Sequence, residues 1–214
     1  MKLQSHLTSL KSFFLLMSTC LVLFAAKPGF CVEDPVKMLQ SVTNNVLNQL
    51  RAHRDEFRFN PKQIYSVIDR TIMPHVDFTE MARWVVGRNA WAKADSNTQQ
   101  TFVKEFSTMV VNSYGRALLE YNDQKIEFLP LRGSAEGKDR IQVSSYLKDN
   151  GKSIRMDYRL IRQGNTWRVY DIIIEGVSLM QGYRAQFAED VRHSGVAGAV
   201  MRMREHSTGM KRPR

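Results

Sequence analysis

Cysteine is scarce. The 214-residue chain holds two, Cys20 and Cys31, and both fall in the N-terminal segment ahead of the main body. A body without cysteine has no disulfide framework, no thiolate metal site and no cysteine nucleophile. Thr19 and Phe30 precede the two cysteines, which fits no lipid-attachment box. Long apolar runs are also few. One stands out, from Phe13 to Phe24, and its dozen or so residues are too few to span a bilayer. Acidic residues are outnumbered, 21 Asp and Glu against 31 Lys and Arg. No internal repeat or low-complexity block is present. Ser144, Ser145 and Ser178 lack a GxSxG setting. Gly195–Gly198 lacks the lysine and preceding strand of a phosphate loop. His75 and Asp77 are two residues, not a metal site, and His193 and His206 lack ligand spacing. Hydrolase, nucleotide and metal chemistry therefore have no residues to carry them, and no cofactor is expected.

Lys2, His6 and Lys11 precede the apolar run, and Ala25 and Ala26 follow it. A basic start, a short apolar middle and a small-residue exit describe a secretory signal peptide, with an uncleaved anchor as the alternative. Cleavage is expected between Ala25 and Val32. The expected division is a leader over 1–31, an α+β domain over 32–206 and a basic tail over 207–214. Loss of Lys2, Lys11 and Lys27 lowers the formal net charge from +10 to about +7, which still attracts anionic partners. Export takes the chain away from nucleic acid, so lipid headgroups or acidic protein surfaces are the expected counterparts.

Asp34 and Pro35 predict a helix start, with Val36, Leu39, Val42, Val46 and Leu50 on one face. Asn60-Pro61 predicts a second helix, with Ile64, Val67, Ile68 and Ile72 inward and Pro74 at its end. Asp77 with Glu80 predicts a capped short helix that stops at Gly87, and Ser96 with Gln99 a long one through Phe102, Phe106, Met109, Val110, Ala117 and Leu118. The period then changes to two. Ile126–Leu129 reads as a strand, the 133–139 stretch as a polar loop, and Asn150-Gly151 as the turn joining strands 141–148 and 153–161. Gly164-Asn165 turns into a fourth strand, 167–174. Two-residue turns place Val143 opposite Tyr158, Ser145 opposite Met156, Leu160 opposite Val169 and Met156 opposite Ile173, all on one face. Ser178 with Gln181 caps a last helix bearing Leu179, Met180, Tyr183 and Phe187, and a weaker helix, Val196–Met203, precedes the tail. The predicted class is α+β, with helices packed on one face of a curved four-stranded antiparallel sheet.

Three stretches carry a family resemblance. Trp167-Arg-Val-Tyr-Asp-Ile-Ile-Ile-Glu-Gly-Val-Ser-Leu-Met-Gln-Gly-Tyr-Arg-Ala-Gln-Phe187 is the most specific. Val76-Asp77-Phe78 with Met81-Ala82, Val86-Gly87 and Trp91 is the second, and Gln99–Tyr121, with Phe102, Phe106 and Tyr114, the third. Together they resemble the MlaC family of periplasmic phospholipid-binding proteins, also called toluene-tolerance proteins, over residues 33 to 203. The resemblance implies a cone like that of nuclear transport factor two or the cystatins, enclosing an apolar cavity for phospholipid acyl chains. It also implies a shuttle that maintains lipid asymmetry between an outer-membrane lipoprotein complex and an inner-membrane ABC transporter with its substrate-binding ring.

By spacing alone the methionines and aromatics of these elements are core residues. The resemblance implies instead that a subset lines the cavity: Met73, Phe78, Met81, Trp84, Val85, Phe106, Met109, Val143, Met156, Tyr158, Trp167, Val169, Leu179 and Tyr183. Methionine suits that role because its unbranched thioether repacks around varied shapes. The competing expectation is an enzyme of the same cone-shaped fold. Its base would be Asp171, which the hairpin register places on the apolar face beside Tyr158. Asp171 is otherwise a buried carboxylate satisfied by Tyr158 or a backbone amide, or one turned outward by a bulge. Arg202, Arg204, Lys211, Arg212 and Arg214 form a basic end that meets anionic headgroups, an acidic partner or solvent.

Overall fold

Asp34 accepts hydrogen bonds from the Val36 and Lys37 amides, so α1 (Pro35–Ala52) starts where the sequence places it. It buries Met38, Leu39, Val46 and Leu50. The computed structural model describes residues 32–121 and 124–209. The expected leader over 1–31 and the tail beyond 209 lie outside the described residues. One contiguous unit of contacts runs from Glu33 onward.

The next stretch departs from expectation. A short helix, α2 (Arg54–Phe59), precedes the Asn60-Pro61 signal, and α3 (Gln63–Val67) is a single turn or so. It continues as a wider π turn, Ile68–Ile72, and a 3-10 turn, Met73–His75. Pro74 supplies no amide for the Arg70 carbonyl, so a regular helix cannot run through this point. Asp77 accepts from the Glu80 amide and opens α4 (Phe78–Val86), which Gly87 ends as predicted. A further short helix, α5 (Arg88–Lys93), follows. The long helix α6 (Ser96–Gly115) is capped by Asp95 rather than Ser96: the Asp95 carboxylate accepts from the Thr98 amide and hydroxyl at 2.9 and 2.6 Å. Gln99 turns back instead to the carbonyls of Trp91 and Ala94. A 3-10 turn, Arg116–Glu120, closes the helical half.

Five strands, not four, follow in sequence order as one antiparallel sheet: β1 (Lys125–Phe128), β2 (Arg140–Asp149), β3 (Lys152–Gln163), β4 (Thr166–Ile174) and β5 (Val177–Ser178). The extra strand comes from a turn at Glu175-Gly176, whose φ values are 49° and 83°. Glutamate rarely adopts that conformation, so the sequence carries little signal for the turn. The Asn150-Gly151 turn, with φ of 45° and 80°, sets the β2–β3 register as predicted, Val143 against Tyr158 and Ser145 against Met156. The β3–β4 register begins as predicted with Leu160 against Val169, and then a bulge intervenes. Tyr170 is the extra residue. Beyond it Arg159 faces Asp171, Tyr158 faces Ile172, and Met156 faces Ile174 rather than Ile173.

The bulge sorts side chains between the two sides of the sheet. Ile161 and Tyr170 pack with the aromatic cluster of α4, α6 and the last helix, α7 (Leu179–Gly209). Trp167, opposite Arg162, donates its indole N–H to Glu33 O ahead of α1 at 3.1 Å. Alternation puts Ile161 and Trp167 on opposite sides, so helical segments meet the sheet from both, where one face was expected. Ser178 accepts from the Gln181 amide at the start of α7, as predicted. Gly195 interrupts α7 with φ 64° and ψ −161°, so the expected Val196–Met203 helix is a separate segment after a kink.

A second cluster joins Val46 and Leu50 of α1 to Phe57, Ile64, Val67 and Ile68. Gly115 makes its close fit to α6 possible. A Cβ there would lie 3.0 Å from Ile68 Cδ1 and 3.2 Å from Tyr65 Cε1. Gly115→Leu is expected to lower stability by about 1–3 kcal/mol through overpacking, read as a shift in the urea midpoint. An unchanged midpoint would mean that α6 and the π turn slide past each other freely.

Candidate functional site

The fourteen candidate residues do not converge on one spot. Met81, Val85, Phe106 and Tyr183 are buried in the α4–α6–α7 cluster, with Phe78, Trp84, Met109 and Leu179 packed around it. That cluster is assembled ring on ring. Phe102 stacks on Phe106 at 5.7 Å, Tyr183 meets Phe106 edge-on at 5.1 Å, and Phe187 meets Phe102 edge-on at 6.2 Å. Burial pushes the Tyr183 phenol far above its ordinary range, with Tyr114 adding to the shift. Arg184 lies over the Trp84 ring at 5.5 Å. Met73 belongs elsewhere, packed against the α1–α3 cluster.

Val143, Met156, Tyr158, Trp167 and Val169 do share a surface, the apolar side of the sheet. Pairing brings Val143 against Tyr158 and Leu160 against Val169, with Ser145 against both Met156 and Phe128. At the centre Val143, Ser145 and Leu160 are all but inaccessible. Toward the β2–β3 hairpin the same side carries Ile126, Phe128, Leu147, Ile154, Met156, Ile172 and Ile174, each only half-buried. A row of half-buried aliphatic side chains beside a closed centre is a surface that can accept more apolar matter. Phe128 lies against Tyr158 with ring centres 5.8 Å apart.

A second feature escaped the sequence reading. The ends of α1 and α2 and the 3-10 turn after α6 surround an opening of about 420 Å³, lined by Leu50, Phe57, Pro61, Leu118, Leu119 and Tyr121, with Arg54, Arg58 and Glu120 among them. Arg51 donates to the Tyr121 hydroxyl at 2.8 Å. The signal was Arg54 and Arg58 four residues apart with Phe57 between, one apolar and two cationic groups on one helical face. The mouth is apolar along its walls and cationic at Arg54 and Arg58, with Glu120 beside them.

Asp171 sits 1% exposed, but not beside Tyr158 as the two-residue turns implied. The bulge carries it to the other side. There it accepts from the Ser178 hydroxyl at 2.7 Å, the Met180 amide at 3.2 Å and the Arg159 guanidinium at 3.1 Å. A carboxylate holding three donors ties strands to helix and has little capacity left for substrate. A comparable group is Glu80, held by Arg83 and Arg140, with Arg140 also lying over the Tyr170 ring at 4.8 Å. Among the described residues no three of His, Cys, Asp and Glu gather as metal ligands.

Asp171→Ala is expected to lower stability by about 2–3 kcal/mol. The loss comes from stranding the buried Ser178 hydroxyl and the Met180 amide, while the more exposed Arg159 returns to water. Denaturant unfolding checks this. A variant as stable as the parent would mean that the carboxylate is kept for something other than structure.

Known proteins share this architecture. A phospholipid-binding protein from Ralstonia solanacearum, solved in complex with a phospholipid, superposes with a TM-score of 0.76 at 27% identity, over 84% of this chain and 100% of its own. The toluene tolerance protein Ttg2D of Pseudomonas putida is 29% identical over 177 residues, 82% of each chain. The intermembrane phospholipid transport system binding protein MlaC of Haemophilus influenzae is 20% identical over 210 residues, 95% of this chain and 96% of that one. The family model for the MlaC protein matches residues 40–205. The chain belongs to the MlaC family.

Proposed function

We propose that this protein is a periplasmic phospholipid carrier that shelters acyl chains against the apolar side of its sheet. It would take lipid from, or deliver it to, an outer-membrane lipoprotein complex and an inner-membrane ABC transporter with its substrate-binding ring. The observation that carries the reading is the match, over 84% of this chain and the whole of the other, to a relative solved with phospholipid bound. A cone of the nuclear-transport-factor-two type, the leader over 1–31 and a non-catalytic role belong to the same proposal. Among the described residues no helix is long and apolar enough to cross a membrane.

Energetics favour a sheltered ligand. Each methylene taken from water gains about 0.8 kcal/mol, so exposing one long acyl chain costs on the order of 10 kcal/mol. A carrier must therefore cover the chains of its ligand while leaving the charged headgroup wet. The half-buried aliphatic row on β1–β4 supplies the first condition, and the Arg54–Arg58 mouth suits the second. Of the candidate set on the sheet, half-buried Met156 is the proposed acyl contact, with Tyr158 two residues along the strand, while Val143 and Val169 belong to the closed centre. The helical members are bound into a ring cluster that has its own packing to satisfy.

Native mass spectrometry of the mature protein purified from cells should show co-purifying phospholipid. A homogeneous lipid-free protein that also refuses lipid offered in vitro would remove the proposal. Met156 distinguishes cavity from core. It lies mid-strand, half-buried, opposite the small Ser145. Enlarging a packed core residue costs about 1–3 kcal/mol. In a ligand space Met156→Trp should instead displace lipid while leaving the melting temperature of lipid-free protein nearly unchanged. Collapse of the melting temperature with full lipid retention would make Met156 core.

A further inference from the structure

The buried centre of the apolar side of the sheet carries a polar spot. Ser145, at 0% exposure, lies across from Met156, and Tyr158, at 9%, lies across from Val143. The Ser145 hydroxyl donates to the Tyr158 oxygen at 3.4 Å, and the Tyr158 hydroxyl has the Met156 sulfur at 3.8 Å as its acceptor. Hydroxyl-to-oxygen bonds usually close to about 2.5–3.0 Å, and a thioether is a weak acceptor. The pair is therefore only loosely satisfied. Valine and phenylalanine would fill the same space without burying hydroxyls. A phenol holds its proton at neutral pH, and burial shifts Tyr158 further in that direction, so it is a standing donor.

The surroundings limit what such a donor can meet. Phe128, Val143 and Leu160 adjoin it on the same side, and the nearest strand cations, Arg155 and Arg159, alternate to the other side, where they bind Asp157 and Asp171. A phosphate brought to Tyr158 would lose its water and gain no counter-charge. The acyl portion of a phospholipid offers one other kind of strong acceptor, the carbonyl oxygen of its ester links. That oxygen is uncharged and can be desolvated at the modest cost one hydrogen bond offsets.

We propose that Tyr158, oriented by Ser145, donates a hydrogen bond to an ester carbonyl of the bound lipid and so sets how deep the acyl chains sit. The assignment rests on the lipid-carrier reading and adds to it a chemical preference, for ester-linked over ether-linked lipid. An apolar trough alone has no such preference, because the two lipids carry the same chains.

The test uses mature, delipidated protein and two probes: a diacyl phosphatidylethanolamine, and its dialkyl ether analogue with equal chains. Offered as an equimolar mixture, the ester lipid should be retained about three- to tenfold over the ether lipid, as native mass spectrometry counts it. Tyr158→Phe should abolish that ratio and Ser145→Ala should reduce it, each read as the ester-to-ether ratio within the lipid that the folded variant retains. The wild-type comparison needs no variant, so a folding defect cannot obscure it. Equal retention of the two lipids by wild type overturns the assignment, as does a preference that survives in folded Tyr158→Phe. Wild-type protein that takes up neither probe overturns the carrier reading itself, a result distinct from uptake without preference.

Discussion

The carboxylate of Asp171 is where the last three strands and the last helix are joined. It accepts from Arg159 on β3, from Ser178 on β5 and from the Met180 amide in the first turn of α7. It can reach all three only because Tyr170 is inserted as an extra residue, which turns the end of β4 by one position. Without the bulge, alternation would put Asp171 beside Tyr158, a charge among aliphatic side chains, at a cost no ligand-free protein would offset. One inserted residue thus keeps a carboxylate out of the centre of the apolar side, next to Tyr158, and anchors the helix on the other side.

The two sides then meet different demands. On the Tyr170 side, rings of Phe102, Phe106, Tyr183 and Phe187 interlock at fixed distances and angles. Such packing is stiff and holds α4, α6 and α7 as one body. On the Tyr158 side aliphatic residues join Phe128 and Tyr158, half-buried toward the hairpin, and include Met156, whose thioether adapts to its neighbours. A carrier needs both properties at once. In the proposed reading the rigid half preserves the frame when the ligand leaves, and the adaptable half accepts chains of differing length. Val76 and Asp77 link the halves, since Asp77 caps α4 with its side chain while its amide bonds Val169 on β4.

The methionines and aromatics that the family resemblance implies as cavity lining divide between these two sides and the α1–α3 cluster. Met81, Trp84, Val85, Phe106 and Tyr183 have helical spacing and apolar character, and nothing in one dimension separates a ring that stacks on another ring from one that faces a ligand. Their burial and ring geometry depend on which helix lies across from which. Arg54, Phe57 and Arg58 were legible as one helical face, but the mouth itself forms only when α2 meets the 3-10 turn some sixty residues later.

What the sequence determined by itself was local. Asp34, Asp77 and Ser178 cap helices because a short polar side chain reaches amides two or three residues on. Asn150-Gly151 set a long register because both residues tolerate positive φ in a two-residue turn. Where two local signals competed, as between Asp95 and Ser96, the charged acceptor prevailed by a single position. What only the tertiary structure decided was whatever requires distant partners. Tyr170 bulges because the register must serve the α4–α7 cluster and Asp171 together, and Glu175 takes a left-handed conformation so that a fifth strand can pair. Those choices cost local energy and are repaid only by contacts across the fold, and no window of neighbouring residues contains that exchange.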